Sequence, residues 1–386
     1  MIKTLAHDLD TLSRAGLRRS LRTVEHRKGA EIVVDGKTTI DFSSNDYLGL
    51  AGDPRLAQAA ATFLDQSHVG PAAARLISGN YAVHTELEAA LARFKNTDAA
   101  LLFSSGYMAN IGAIPALVAR RDVIYADALN HASLLDATRL SRAEVRVFPH
   151  LDLGALRQML IEDAGKFRRR LIVVDGVFSM DGDLFPLDQL VPLAREFDAW
   201  TYVDDAHGTA VLGANGRGSV EHFGMEGKID VIMGTLGKAL GTAGAFIAGS
   251  STLIEYLLHR ARSFVFTTSS PPVLAAITLK SLEIVRDEPW RREQLIANAR
   301  YMRAGLVEMG REAPGEPDSY IVPVMIGSVN ETVRVGTALR EAGYLVGAVR
   351  PPTVPLGTSR LRITMCSAHT QQQMDGLLKT LKAVLQ

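Results

Sequence analysis

The chain has 386 residues, 47% of them hydrophobic, with 42 basic and 42 acidic side chains and a single cysteine. That length and apolar content suffice for a large core and two or three domains, while the balanced charge excludes a global field drawing nucleic acid or a membrane surface. No 18-residue apolar run is present, the opening Met1-Ile2-Lys3-Thr4-Leu5 lacks a secretory h-region, and Cys366 can form no internal disulfide, so a cytoplasmic, reducing setting is expected.

Residues 1–52 form an N-terminal segment. Leucines at 5, 9, 12, 17 and 21 make an irregular helical stripe among Arg14, Arg18, Arg19 and Arg22, of a kind that docks on another surface. Glu31 to Phe42 reads as a β-hairpin with Asp35-Gly36 at the type I′ positions. From 53 to 285, helical patterns alternate with short apolar runs at 99–103, 123–126, 171–174, 200–203, 231–234 and 244–248. That alternation predicts an α/β large domain with a mostly parallel sheet covered on both faces. Ser263-Phe264-Val265-Phe266 reads as a strand-like aromatic run. After Pro271-Pro272 come two long helical patterns over 273–309, then strands at 320–326, 345–349 and 361–365, so 286–386 is expected to be a small C-terminal α+β domain. Cys366, beside the apolar Ile363-Thr364-Met365, reads as an inert buried thiol.

The chemistry concentrates where strands end. Trp200-Thr201-Tyr202-Val203 is a short β-rich run followed by Asp204-Asp205-Ala206-His207, and a second such run leads into Thr235-Leu236-Gly237-Lys238. Carboxyl ends of strands are where open α/β sheets hold ligands. Alone, an aspartate there is most often a turn or cap residue, and a lone lysine a solvated charge. Lys238, however, is the only basic residue between 230 and 249, a stretch made mostly of apolar residues and glycine, where a charge is costly without a partner or a task. A phosphate-binding Walker motif is excluded, because Ile232 stands where it needs glycine and Ala239 where it needs Ser or Thr. Asp204 and Lys238 instead suit pyridoxal 5'-phosphate. Its pyridine nitrogen needs a carboxylate so that the protonated ring can take up electrons, and a lysine must hold it as a Schiff base.

Other strand ends add to this. Phe103-Ser104-Ser105-Gly106 closes a strand and opens a helix, a place where backbone N–H groups bind phosphate. The hydroxyls of Thr235, Thr267 and Thr268 are further phosphate donors. Asp127-Ala128-Leu129-Asn130-His131 places a histidine able to stack on the pyridine, and Ser179 lies beyond Val174, although each of these also fits an ordinary turn.

In this order, these motifs resemble the fold type I pyridoxal phosphate enzymes, and more narrowly the α-oxoamine synthases, over almost the whole chain. Phe42 to Leu50, Ile77-Ser78-Gly79 and His84 share in the resemblance. It implies that Lys238, His131, Asp204 and His207 are catalytic and that Gly106 and Tyr107 hold phosphate through their backbones. It further implies that Ser179 and His207 approach the ring substituents, that Arg18, Asn45, Thr353 and Arg362 address substrate, and that no metal takes part. Asp204 to Thr209, Gly216-Arg217-Gly218-Ser219 and above all Val349 to Thr364 are most similar to the member that condenses L-alanine with a pimeloyl thioester, carried on coenzyme A or acyl carrier protein, on the way to biotin. A homodimer with Thr267 or Thr268 at the neighbouring phosphate follows from the same resemblance. A sibling synthase using another amino acid or acyl chain would share every cofactor residue, and a non-catalytic regulator would bind cofactor without releasing CO2. From pattern alone, Arg360 and Arg362 read as a solvated strand face; the resemblance reverses that for Arg362. Two departures stand out: Pro71-Ala72-Ala73-Ala74 replaces a glycine- and serine-rich stretch, and Ala210 a common glycine.

Overall fold

A computed structural model of the protein describes residues 2–67 and 69–385. Helix Ile2–Arg14 opens the chain and leaves Ile2, Leu5, Leu9 and Leu12 exposed, whereas Leu17 and Leu21 of the sequence stripe fall beyond it. Strands β1 (Val24–Lys28), β2 (Glu31–Val34) and β3 (Lys37–Phe42) follow, all antiparallel. Asp35 and Gly36 both have positive φ, 50° and 74°, between the paired Val34 and Lys37, which is the type I′ turn expected of Asp-Gly.

Two compact units emerge. The larger comprises Asp53–Ser179 and Asp183–Arg292. Its strands are β4 (Ala99–Phe103), β5 (Val123–Asp127), β6 (Glu144–Phe148), β7 (Arg170–Asp175), β8 (Trp200–Asp204), β9 (Val231–Thr235) and β10 (Ala245–Gly249). They form one sheet in the order β4-β10-β9-β8-β7-β5-β6, parallel except for β10. Side chains alternate between two cores: Leu171, Val173 and Tyr202 pack on one face with Phe103 and Ile247, while Ile172, Val174 and Val203 pack on the other with Phe148 and Phe185. Burial on both faces is why these strands read as continuous apolar runs. Strand β6 escaped sequence reading because it is an edge strand whose Glu144 and Arg146 are exposed.

One expectation is corrected. Arg262–Val265 is a helical turn, not a strand. In a strand Phe264 and Phe266 would share a face; here Phe264 is buried, its ring 5.9 Å from that of Phe103, while Phe266 is 71% exposed.

The smaller unit holds the chain up to Gly52, Met180–Gly182 and the residues from Glu293. Strands β11 (Ile321–Gly327), β12 (Tyr344–Val349) and β13 (Ser359–Thr364) extend the N-terminal hairpin into a six-stranded sheet, β1-β2-β3-β12-β13-β11. The junction is parallel, with Phe42 opposite Val346. Thus the N-terminal segment, read apart in the sequence, shares a sheet with the C-terminal one. Strand β13 lies between β12 and β11, and all six of its residues, on both faces, are buried, so the solvated-face reading of Arg360 and Arg362 is wrong. Arg360 pairs with Asp181 in the same unit. Cys366 is buried, and burial pushes its thiol up to about 12, which keeps it an inert thiol at neutral pH.

Candidate active site

Strand β8 delivers Asp204 to the carboxyl end of the sheet, where only 3% of it is exposed. Its carboxylate accepts hydrogen bonds from Asn110 Nδ2 at 2.8 Å and from the Ala206 N–H at 3.1 Å. Asn110, on helix Gly106–Leu117, also donates to Ser133 Oγ at 2.8 Å and accepts from the Tyr202 hydroxyl at 2.7 Å. Burial raises the pKa of Asp204, while Lys238 and Asn110 pull it down. Asp175 is its register partner on β7. Burial holds Asp175 well above the ordinary carboxylate range, and the charge of Asp204 adds to that. Two neighbouring buried carboxylates do not ionise together cheaply, which is why the charge of Asp204 raises the pKa of Asp175. Among the described residues, Asp204 has no cation within ion-pair distance and its hydrogen-bond donors are neutral.

Lys238 follows β9, and its Nζ lies 2.7 Å from His207 Nε2. The turn that carries His207 is anchored from below. Asp205 pairs with the buried Lys95 at 2.7 Å, Lys95 also donates to Thr209 Oγ1 at 2.8 Å, and Asp205 accepts from Ser219 Oγ at 2.7 Å. Ala210, in the same turn, has a left-handed φ of 69°, which accounts for glycine being at home there. Thr235 Oγ1 donates to the Gly244 carbonyl at 3.1 Å.

His131 caps helix Ala132–Ser141, and its N–H donates to Asp175 Oδ2 at 2.7 Å. Its ring Nδ1 lies 2.7 Å from Ser133 Oγ. Ser179 sits in the loop closed by the Val177–Leu184 bridge. At the start of the helix Gly106–Leu117, Ser105 Oγ accepts the Met108 N–H at 3.2 Å, and the N–H groups of Gly106 and Tyr107 precede any intrahelical acceptor. Thr267 and Thr268 line one small cavity with Arg75, Ser104 and Gly244. The divergent loop lies against that segment, since the Ala73 carbonyl accepts the Ser269 N–H at 3.1 Å.

In the smaller unit, both terminal nitrogens of Arg362 donate to Asn45 Oδ1 at 3.2 Å. The Tyr47 hydroxyl donates to the same oxygen at 3.2 Å, and burial pushes its pKa up to about 12. Arg18 and Thr353 are exposed in this unit, bridged by neighbours: the Arg18 carbonyl accepts from Arg350 at 3.0 Å and Thr353 Oγ1 from Arg19 at 3.4 Å.

Residues 37–381 match the model of the family described as aminotransferase class I and II. An 8-amino-7-oxononanoate synthase from Methylococcus capsulatus is 49% identical over 361 residues, covering 93% of this chain and 92% of the relative. The chain belongs to the class I and II aminotransferase family, in its α-oxoamine synthase branch. It is a pyridoxal phosphate-dependent, acyl-transferring enzyme of fold type I. Among solved structures, a serine palmitoyltransferase from S. paucimobilis with a bound PLP–myriocin aldimine matches with a TM-score of 0.93 at 33% identity, covering 99% of this chain and 96% of that one. An 8-amino-7-oxononanoate synthase from Francisella tularensis matches at 0.78 and 29%, covering 90% and 98%.

The site of this α-oxoamine synthase fits the cofactor on its own geometry. Asp204 is a buried carboxylate whose missing cation a protonated pyridine nitrogen would supply. Lys238 is an amine in a mostly apolar and glycine-rich stretch of sequence, with His207 Nε2 at 2.7 Å. Asn110 and Asp175 were visible in the sequence only as parts of their motifs. Asparagine facing a strand from a helix four residues past Gly106 leaves no periodic signal, and only the register of β7 against β8 puts Asp175 beside Asp204.

Proposed function

We propose that the enzyme condenses L-alanine with a pimeloyl thioester, on coenzyme A or acyl carrier protein, giving 8-amino-7-oxononanoate, CO2 and free carrier in biotin biosynthesis. The observation that supports this most is the 49% identity to an 8-amino-7-oxononanoate synthase, against 33% to the serine palmitoyltransferase whose backbone it matches at a TM-score of 0.93. The backbone is common to the branch; side chains choose the substrate.

When bound, pyridoxal phosphate supplies a covalent anchor for the amino group and an electron sink for the carbanion. Asp204 would hold the ring nitrogen and its proton, His131 the ring face, and Ser179 and His207 the ring substituents. The amides of Gly106 and Tyr107 and the hydroxyl of Thr235 would take the phosphate. Thr267 or Thr268 would reach the phosphate bound by a second copy in a homodimer. Arg362, steadied by Asn45, takes the carboxylate of alanine, and Arg18 and Thr353 address the acyl donor. Lys238 Nζ removes the α-proton. His131 donates to the oxyanion that develops as the thioester is attacked. The resulting β-keto acid loses CO2, and Lys238 returns a proton to the carbon left behind.

The decisive measurement follows carboxyl-labelled L-alanine with pimeloyl, acetyl and palmitoyl thioesters. Labelled CO2 and 8-amino-7-oxononanoate with the highest kcat/KM for pimeloyl are expected, because polar groups awaiting a terminal carboxylate reject apolar ends. Preference for palmitoyl or acetyl would move the chain to a sibling activity, a reading favoured only by the divergent Pro71-Ala72-Ala73-Ala74 loop packed beside Thr267 and Thr268.

A further inference from the structure

Strand β5 ends at Asp127, which is fully buried, and the next turn delivers His131. Asp127 Oδ1 accepts the Leu129 N–H at 2.8 Å and lies 2.9 Å from His150 Nδ1; Oδ2 accepts the Leu151 N–H at 2.9 Å. The other ring nitrogen of His150, Nε2, lies 3.3 Å from Asp183 Oδ2. Asp183 closes the loop carrying Ser179, for its carbonyl accepts the Phe178 N–H at 2.9 Å. The Phe178 ring meets the His150 ring edge-on, with centroids 4.3 Å apart. Carboxylates on both ring nitrogens require both to be donors, which is the imidazolium form.

The turn itself is strained. Leu151 has φ +59°, in the left-handed region that a leucine avoids, and such a conformation persists only where its surroundings over-determine it. Here the surroundings are the two oxygens of Asp127, which hold the Leu151 N–H and the adjoining His150 ring.

We propose that His150 is a positioning residue: its ring ties Asp127, on which the turn before His131 is built, to Asp183, which closes the loop of Ser179, and so fixes the two loops against each other. The proposal rests on the reading that His131 and Ser179 flank the cofactor. The charged groups facing the ring are Asp127 from β5 and Asp183 from the loop after Phe178. Burial alone would lower the pKa of the ring, but the two carboxylates outweigh it and hold it at about 9.

The test compares the holoenzyme with His150→Asn, which keeps a donor near Asp127, and His150→Gln, which keeps one near Asp183. Three quantities are followed from neutral pH to about 10: hydrogen exchange of segments 127–131 and 177–184, visible circular dichroism of the bound cofactor, and kcat with KM. In the wild type, dichroism and kcat should hold through neutral pH and fall as His150 loses its proton near 9. Both variants should exchange faster, Asn chiefly in 177–184 and Gln chiefly in 127–131, and should lose that inflection. Their kcat should drop roughly 10–100-fold, the scale of a misplaced reacting group, with KM for the acyl donor little changed. Exchange needs no turnover, so it separates a failed clamp from a misassigned reaction. Variants that melt earlier but keep wild-type dichroism, kcat and pH profile would overturn the proposal, leaving His150 a purely structural ion-pair partner.

Discussion

Lys238 Nζ and His207 Nε2 stand 2.7 Å apart, brought together from the ends of the adjacent parallel strands β9 and β8. Only one of the two nitrogens can donate along that line. Lys238 is the only basic residue in the mostly apolar and glycine-rich stretch 230–249, and a charge there needs a partner or a task. Lys238→Ala should therefore fold normally and lose its borohydride-reducible attachment to the cofactor. Reducible label recovered on another lysine of the variant would show that Lys238 is not the attachment point.

Asp204→Asn should still bind cofactor and lose turnover. A neutral amide cannot hold the pyridinium proton, and charge-assisted bonds of this kind contribute about 1.5–3 kcal/mol. The measurement is cofactor affinity set beside α-proton exchange of alanine in D2O. Near-normal exchange in the variant would remove Asp204 from its assigned role.

Asn110 is a prediction that only the structure allows. Its amide bridges Asp204 Oδ2, Ser133 Oγ and the Tyr202 hydroxyl, all buried. Asn110→Ala strands the Tyr202 hydroxyl and removes a donor that lowers the pKa of Asp204. Stability should fall by about 1–3 kcal/mol, the cost of an unsatisfied buried polar group, and cofactor affinity should fall with it. Denaturant unfolding and cofactor titration read both; a change in neither would mean that water replaces the amide.

What the sequence could disclose here followed from period and position. Strands β4, β5, β7, β8 and β9 are buried on both faces and so spell themselves as apolar runs; Asp204 stands out because it ends such a run, and Lys238 because it is the only basic residue between 230 and 249. The edge strands β1 and β6 carry charges that hide them. Arg362 was misread by pattern because alternation along Ser359–Thr364 assumes one wet face, whereas β13 lies inside a sheet with both faces covered. Asp175, Asn110 and His150 act through partners 29, 94 and 23 residues away in the chain, and no local signal records a distant partner.

Stability should depend on pH through His150. Its folded pKa, about 9, lies above the ordinary 6.5, so the native state binds its proton more tightly than the unfolded chain does. The contribution is fully present below about 6.5 and is lost as pH rises through about 9. Thermal melts of wild type against His150→Gln should diverge most near neutrality and below and converge above that window. A constant gap across the range would mean that the ring is not charged in the native state.

The amino acid's carboxylate is the most direct test of the smaller unit. Arg362 is 7% exposed, and its fork donates to Asn45 Oδ1 through two 3.2 Å bonds, a neutral acceptor that a carboxylate could join or displace with stronger charge-assisted bonds. Arg362→Lys keeps the charge and loses the planar fork, while Arg362→Ala loses both. Alanine affinity should therefore weaken in the order wild type, Lys, Ala, by about 1.5–3 kcal/mol or roughly 10–150-fold at the last step, with the KM for the acyl donor changing far less. Arg360 is the internal control. It is equally buried but already paired with Asp181, so Arg360→Lys should lower the melting temperature and leave alanine affinity nearly unchanged. Should Arg360→Lys weaken alanine as much as Arg362→Lys, general loosening of β13 would account for both, and the carboxylate would have to be held elsewhere.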